Sequence, residues 1–197
     1  PCVDILNSTS YCKPRRSQVG RRKSQQLVFG IDPGTSVTGV ALFRGHTLLD
    51  ASTISAKRNK SFILRTLNIA DAVVEYMDSM RGRISPRDID VVIEIPGNQS
   101  RPGRQRSLIP IGCSTGVMTY AAYNLGYRIH LNPATLWTRM GTSRGIAKEK
   151  RTVIIRNRFP DYLLENDKGM DAADAIGVAA AWMNILPGME DDQEPLG

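Results

Sequence analysis

Four acidic side chains, placed at the ends of three predicted elements, are the residues of this 197-residue sequence best suited to chemistry. Asp32 ends a short apolar run and precedes a Pro-Gly turn. Glu94 lies inside an almost continuously apolar run, where burying an unpaired charge is costly. Asp171 and Asp174 are three positions apart in a stretch of small residues, so a helix would carry both on one face.

Each acid also has a purely structural explanation. Asp32 suits a turn-capping position before Pro-Gly, and Glu94 suits a sheet end that faces solvent. Asp171 suits the first turn of a helix, where the helix dipole favours negative charge, but this explanation fits Asp174 less well. We favour a bound cation, because two like charges on one helix face are unfavourable without a counterion between them.

Carboxylate oxygens on separate elements are ligands typical of Mg²⁺ or Mn²⁺ rather than zinc. A pair of such ions about 4 Å apart can activate water and stabilise the leaving oxygen in phosphodiester cleavage. The three cysteines show no CxxC spacing, which argues against a zinc site and against a disulfide scaffold. His46 and His130 are predicted to be structural, and the sequence contains no Ser-His-Asp arrangement or Walker motif.

The net charge of +7 is unevenly distributed along the chain. Basic residues dominate the first 24 positions, and acids dominate positions 187–197. A basic body with a basic arm favours a polyanionic partner such as nucleic acid, and a solvated basic surface is the alternative. We predict a basic disordered arm or linker (1–25), a folded domain (26–186) and an acidic tail (187–197). No apolar run reaches the length that spans a membrane.

Apolar periodicity predicts a small α/β domain. The predicted elements are strands over 27–31, 37–43, 47–53, 90–95 and 127–131, and helices over 61–80, 108–125, 148–159 and 170–185. Three strands followed by alternating helices and strands indicate an α/β sandwich with a five-stranded mixed sheet flanked by helices.

Helical spacing also predicts which side chains are buried or form contacts between chains. The first helix is expected to bury one apolar face: Ile63, Leu64, Leu67, Ala70, Val73, Val74 and Met77. On the second helix, Met118, Tyr120 and Tyr123 are expected to be core or dimer contacts, and its small residues allow a close helix–helix approach. Trp137 and Met140 are expected to serve core or loop packing.

Four motifs together resemble the RuvC-type Holliday junction resolvases of the ribonuclease H-like superfamily. In chain order they are Gly30-Ile31-Asp32-Pro33-Gly34 with Thr38-Gly39, Ile93-Glu94, Gly145-Ile146-Ala147-Lys148-Glu149-Lys150-Arg151, and Asp171-Ala172-Ala173-Asp174-Ala175. The last motif is the most specific, and the first is weak when taken alone. All four follow the family's order across most of the predicted domain.

The resemblance implies a ribonuclease H-like nuclease domain over 26–186, with the first and fourth strands as parallel neighbours. It implies that Asp32, Glu94, Asp171 and Asp174 are the catalytic residues and the ligands of two Mg²⁺ or Mn²⁺ ions per active site. It further implies a homodimer that cleaves two strands of a four-way DNA junction symmetrically in DNA recombination and repair.

The same family analogy suggests a branch-migration helicase as a further partner. The short apolar runs predict no membrane association, and the expected location is the cytoplasm of a bacterial or phage-infected cell. The Arg- and Ser-rich N-terminus also resembles an organelle transit peptide, although Asp4 weakens that interpretation. Organelle targeting by the basic arm therefore stays open.

Seven basic residues are predicted to bind DNA: Arg101, Arg104, Arg106, Arg144, Lys148, Lys150 and Arg151. Neutralising phosphates with lysine and arginine would make binding salt-sensitive. The first three lie in a Pro/Gly loop after Glu94, and the last three belong to a family-like motif, for which a solvated helix face is the alternative. The sequence departs from the family at Gly97, where many bacterial resolvases carry an aromatic wedge, and this leaves junction specificity open.

Three other functions compete with junction resolution. A sugar kinase or actin-like ATPase shares the first motif, but it needs two such domains, and ATP hydrolysis would reveal it. A related nuclease acting on branched, flapped or RNA-containing substrates would be revealed by a substrate panel. A non-catalytic junction-binding protein is the third, and the presence of all four acids argues against it.

Overall fold

The computed structural model describes residues 25–56, 61–96, 105–139, 146–160, 167 and 170–186. The predicted acidic tail and all of the predicted basic arm except Gln25 lie outside the described residues. The elements are β1 (Leu27–Asp32), β2 (Val37–Arg44), β3 (Thr47–Ser55), α1 (Phe62–Arg81), β4 (Asp90–Ile95), α2 (Gln105–Asn124), β5 (Arg128–Pro133), α3 (Ala134–Arg139), α4 (Lys148–Arg158) and α5 (Asp171–Trp182). Among these residues, no helix is both long and apolar enough to cross a membrane.

The five strands form one mixed sheet in the order β3-β2-β1-β4-β5. β1 pairs antiparallel with β2 and parallel with β4, and β4 pairs parallel with β5. The predicted five-stranded mixed sheet, with its first and fourth strands as parallel neighbours, is therefore confirmed. Ile31 pairs with Ile93, so that the next residues of the two strands, Asp32 and Glu94, lie side by side at one edge of the sheet.

Two hydrophobic clusters lie on the two faces of the sheet. One joins the sheet to α1 and α2, and the other joins it to α3, α4 and α5. Every residue of α5 from Ala172 to Ala181 is buried. The small side chains of this helix let it lie close against β1 and β2, as its composition predicts.

Glycines on two strands set how closely α5 approaches the sheet. A Cβ built at Gly30 would collide with the carbonyl oxygen of Ala175 and would lie 2.8 Å from the Cβ of Ala179. A Cβ built at Gly39 would collide with the carbonyl oxygen of Asp171. These two glycines therefore bring the first turn of α5 to the edge of the sheet where Asp32 ends β1.

The predicted buried face of α1 is partly wrong. Ala70, Val73 and Met77 are buried, but Ile63, Leu64 and Leu67 are 66%, 49% and 43% exposed. Thr66 and Ile69 belong to the buried side of the helix, and Leu64 and Leu67 lie on a different side. Ile63 lies beyond the end of the core. Periodicity finds the helix, but it does not show where the core ends along the helix.

Other elements also differ from the prediction in their presence or bounds. Residues 134–139, expected to be a connection, form α3. α2 begins at Gln105 and includes Pro110, and α5 ends at Trp182 rather than at position 185. The positive φ of 59° at Asn184 shows that the chain has left the helix by that point.

An ion cluster around the buried Asp90 lies at the edge of the sheet opposite the predicted acids. The carboxylate of Asp90, at the start of β4, accepts hydrogen bonds from Arg128 at 2.8 and 2.9 Å and from Gln26. His130 Nε2 lies 2.7 Å from the same carboxylate, and its ring packs on Trp182 at 4.6 Å. His130 thus belongs to this cluster, and His46 lies in the turn between β2 and β3.

We expect Asp90→Asn to lower the free energy of unfolding at pH 7 by about 1–3 kcal/mol, because Arg128 and His130 lose the charge and one of the two oxygens of their buried acceptor. Burial raises the pKa of Asp90, but hydrogen bonds from His130 and Arg128 and their charges outweigh it and lower the pKa to about 2. The ionised carboxylate therefore stabilises the fold above about pH 4 and loses this effect as the pH falls toward 2. Urea unfolding of both proteins between pH 7 and pH 3 measures the difference. An equal loss at every pH would contradict the assignment.

Candidate metal centre

Three of the four predicted acids lie together at the edge of the sheet. One oxygen each from Asp32, Asp171 and Asp174 lies within 4.8 Å of the others. Asp32 ends β1, and the other two occupy the first turn of α5. Glu94 lies beside Asp32 on β4, and the charges of Asp32 and Asp174 interact with it. The chain thus gathers carboxylates from three distant segments at one place.

The start of α5 is built to hold its acids in place. Asp167 accepts hydrogen bonds from the backbone N–H groups of Asp171 and Ala173, both at 2.9 Å, and so caps the helix. Met170, with φ 58° and ψ 24°, is the left-handed residue that turns the chain into the helix. The sequence analysis missed this cap, although an acid shortly before a helix start is a known capping signal.

Electrostatics around the acids favour binding of a cation. Burial, followed by the charges of Glu94, Asp174 and Asp171, raises the pKa of Asp32 well above its usual value. Burial also raises the pKa values of the other three acids, more strongly than nearby cations lower them. The ionised forms are therefore less favourable here than in water, and a further positive charge would stabilise them.

One oxygen of the cluster lacks a hydrogen-bond partner. Asp174 Oδ1 is buried without one among the described residues, and the guanidinium of Arg151 lies 3.5 Å away. A buried polar atom without a partner is costly. Hard cations such as Mg²⁺ take oxygen ligands of this kind, so the acids present fit such an ion.

Of the basic side chains that the structure describes, Lys148 is the closest to these acids. Its ammonium lies 2.7 Å from Asp174 Oδ2 and 3.5 Å from Asp171 Oδ1. Burial lowers the pKa of Lys148, but the hydrogen bond and charge of Asp174, with the charges of Asp171 and Asp32, outweigh it and raise the pKa. Lys148 therefore neutralises part of the cluster, and its predicted contact with DNA phosphate stays a prediction.

The other residues predicted to bind DNA differ in their exposure, and some of them lie outside the described residues. Lys150 is exposed on α4, whereas the guanidinium of Arg151 is only 14% exposed and donates to the carbonyl of Ile146 at 2.8 Å. Arg106 lies in α2, and its side chain is outside the described residues. Three predicted residues lie wholly outside the described part of the chain: Arg101, Arg104 and Arg144.

Trp137 is a site residue that the sequence analysis assigned to packing alone. It is 1% exposed, and its indole Nε1 donates a hydrogen bond to Glu94 Oε2 at 2.7 Å. Sequence reasoning considered only a cation or solvent as the partner of Glu94 and missed this uncharged donor, while the expected cation at Glu94 stays a prediction. Met140 lies outside the described residues.

Known structures share this architecture, although no protein-family model and no curated protein matches the sequence. Thermus thermophilus RuvC in complex with a Holliday junction substrate is 20% identical, with a TM-score of 0.59 over 82% of this chain and 98% of that one. The chain has the RuvC fold. A second structure of Thermus thermophilus RuvC, also 20% identical, gives a TM-score of 0.57 over 79% of this chain and 92% of that one.

The resemblance to RuvC that the motifs indicate is thus confirmed at the level of the fold. The ribonuclease H-like architecture, with its five-stranded mixed sheet flanked by helices, is confirmed with it. In this RuvC-type fold the acids lie where β1, β4 and α5 meet. At 20% identity the likeness concerns the fold, and the case for function rests on the site itself.

Proposed function

We propose that this protein is a metal-dependent endonuclease that resolves four-way DNA junctions by paired cleavage of phosphodiester bonds. The observation that carries the proposal is the group of Asp32, Asp171 and Asp174 oxygens within 4.8 Å of one another, beside Glu94. The likeness to a RuvC solved with a Holliday junction substrate supports the choice of substrate.

In the proposed site, Asp32, Glu94, Asp171 and Asp174 hold two Mg²⁺ or Mn²⁺ ions. Bound ions of this kind supply an activated water and stabilise the leaving oxygen of a phosphodiester. The four acids would determine where the ions bind. Each acid lies at the end of a packed strand or helix rather than in a free loop, so its position is well defined.

The DNA is proposed to lie across the site and along α4, whose basic residues outnumber its single acid, Glu149. Lys150 is exposed on this helix and is proposed to contact phosphate. Lys148 lies between the acids and this basic surface, because it starts α4 and its ammonium pairs with Asp174. Arg151 lies beside Asp174 and is proposed to hold it in place. The remaining proposed contacts with DNA come from Arg101, Arg104, Arg106 and Arg144. Binding through such residues is expected to weaken steeply with salt.

Cleavage of a set of synthetic substrates tests the function. The set contains a four-way junction, a three-way junction, a flap and an RNA–DNA hybrid, each incubated with and without Mg²⁺ or Mn²⁺. We expect paired, symmetric nicks in the four-way junction that require the metal. Equal or faster cleavage of flaps or hybrids would favour a related nuclease instead. Junction binding with no cleavage of any substrate would favour a non-catalytic binding protein.

We further propose that the protein works as a homodimer whose two copies meet along α2. Paired cuts need two sites, and the described residues of one chain hold one acidic cluster. Ile109, Tyr120 and Tyr123 are 74%, 68% and 69% exposed, and they lie along one face of α2. Gly112 and Gly116 lie between them with open space around them, so that a second helix could approach closely. Met118, by contrast, is buried in the core.

Gly116→Arg is therefore expected to convert the dimer into a monomer, because a charged side chain would enter an uncharged contact. Light scattering coupled to size-exclusion chromatography measures the mass in solution. Asn157→Arg, which adds the same charge at an exposed position of α4, is the control and should remain dimeric. A wild-type mass of one chain, or a dimer that survives Gly116→Arg, would contradict the interface.

A further inference from the structure

Trp137 is a buried ring that contacts three elements around the acidic cluster. Its indole N–H donates to Glu94 on β4 at 2.7 Å. The guanidinium of Arg151 on α4 lies over the ring, 4.4 Å from its centroid. Gly177 of α5 packs against the ring so closely that a Cβ at this position would lie 2.7 Å from one ring carbon. One side chain thus sets the spacing between the sheet, the basic helix and the helix that carries Asp174.

The hydrogen bond fixes one oxygen of Glu94, an acid whose charge interacts with that of Asp174 in the cluster. Trp137 is the donor to Oε2, and among the described residues no donor reaches the second oxygen, Oε1. A carboxylate held at one oxygen loses its free rotation about the terminal bond, so its second oxygen has a defined direction. This is the geometry by which outer partners orient acids that bind metals.

The chemistry of the donor suits this task. An indole N–H donates a hydrogen bond but carries no charge and has no acceptor. Lysine or arginine at the same place would neutralise Glu94 and compete with a metal ion for the carboxylate. Trp137 therefore orients the acid without lowering its attraction for a divalent cation.

The same ring also acts on Asp174 through Arg151. A guanidinium stacked on an aromatic face is attracted by the electrons of the ring, and the Arg151 side chain is largely shielded from solvent. Because the stacked Arg151 lies 3.5 Å from Asp174 Oδ1, the ring limits how far this guanidinium can move toward or away from the acid.

We propose that Trp137 is a positioning residue of the metal centre, which orients Glu94 by its N–H and holds Arg151 beside Asp174 by its ring. The inference rests on the proposed nuclease function, and it adds a residue from outside the four acids. Trp137→Phe separates the two contacts, because it keeps an aromatic ring for Arg151 and removes the N–H.

The matched control is Trp182→Phe. Trp182 is the second of the chain's two tryptophans, and it ends α5 at the opposite edge of the sheet, where it packs on His130. We expect Trp137→Phe to lower kcat for junction cleavage by about 10–100-fold and to weaken Mn²⁺ binding, measured calorimetrically, by a similar factor. The junction Kd in Ca²⁺ should stay unchanged, and Trp182→Phe should match the wild type in all three measurements.

A spectroscopic readout covers the case in which Trp137→Phe folds poorly. In Trp182→Phe, Trp137 is the sole tryptophan, so its emission reports on the indole beside Glu94. We expect Mg²⁺ to change this emission in a saturable manner, and we expect Asp32→Asn in the same background to abolish the change.

The outcomes separate this inference from the proposed function. Wild-type kcat and Mn²⁺ affinity in Trp137→Phe would overturn the inference, as would Trp137 emission that Mg²⁺ leaves unchanged. If the wild type cleaves no junction but Trp137→Phe still weakens Mn²⁺ binding, the nuclease proposal fails and the positioning role stands.

Discussion

Asp174→Asn is expected to bind a four-way junction as tightly as the wild type and to cleave it more slowly by a factor of about 10³ or more. Asp174 is 7% exposed, and its Oδ1 has no hydrogen-bond partner in the part of the chain that the structure describes. The amide keeps the size of the side chain but removes the charge that would hold a divalent ion. Bound ions contribute several kcal/mol of charge stabilisation to phosphodiester cleavage, and each 1.4 kcal/mol is tenfold in rate.

Binding should survive because the lost charge is negative. Lys148 and Arg151 lie at 2.7 and 3.5 Å from Asp174, and both keep their charges in the variant. Asp71→Asn, the same change at an exposed position of α1, is the control and should cleave normally. The measurements are single-turnover cleavage in Mg²⁺ and junction affinity in Ca²⁺. Cleavage at the wild-type rate by Asp174→Asn would remove Asp174 from the proposed catalytic set.

Much of the fold follows from local patterns in the sequence. The continuous apolar run of β4 indicates a strand that is buried on both faces, and this is how β4 lies between β1 and β5. Parallel strands bring their carboxyl ends to one edge, so Asp32 and Glu94 can be expected to meet once β1 and β4 are paired. The alanines and glycine of α5 indicate a helix that lies close to a sheet, and the structure shows that contact.

The parts that sequence patterns did not show depend on contacts between distant segments. α3 is six residues long, too short for its periodicity to distinguish a helix from a loop. The bond between Trp137 and Glu94 joins positions 43 residues apart, and only the folded packing reveals it. The exposed Ile63 on α1 is a similar case, because its burial depends on how far the neighbouring elements extend.

Gly30→Ala is expected to reduce cleavage about 100-fold, although residue 30 is two positions away from Asp32 in the strand. The added methyl group would collide with the carbonyl oxygen of Ala175 and approach Ala179, so that α5 must move away from β1. Overpacking of this kind costs about 1–3 kcal/mol of stability. A shift of α5 would also displace Asp171 and Asp174 from Asp32, and a misplacement of about 1 Å can cost 10²-fold in rate.

A second glycine separates the loss of geometry from the loss of stability. Gly82 follows α1 with a φ of 60° and has no atom within 4 Å of a built Cβ, so Gly82→Ala strains the backbone without a collision. That strain costs about 1–3 kcal/mol, comparable to the expected loss in Gly30→Ala. Both variants should therefore lose similar thermal stability, while only Gly30→Ala loses cleavage and Mn²⁺ affinity at a temperature where both are folded. Equal cleavage by the two variants would mean that the packing of α5 against Gly30 does not set the geometry of the acids.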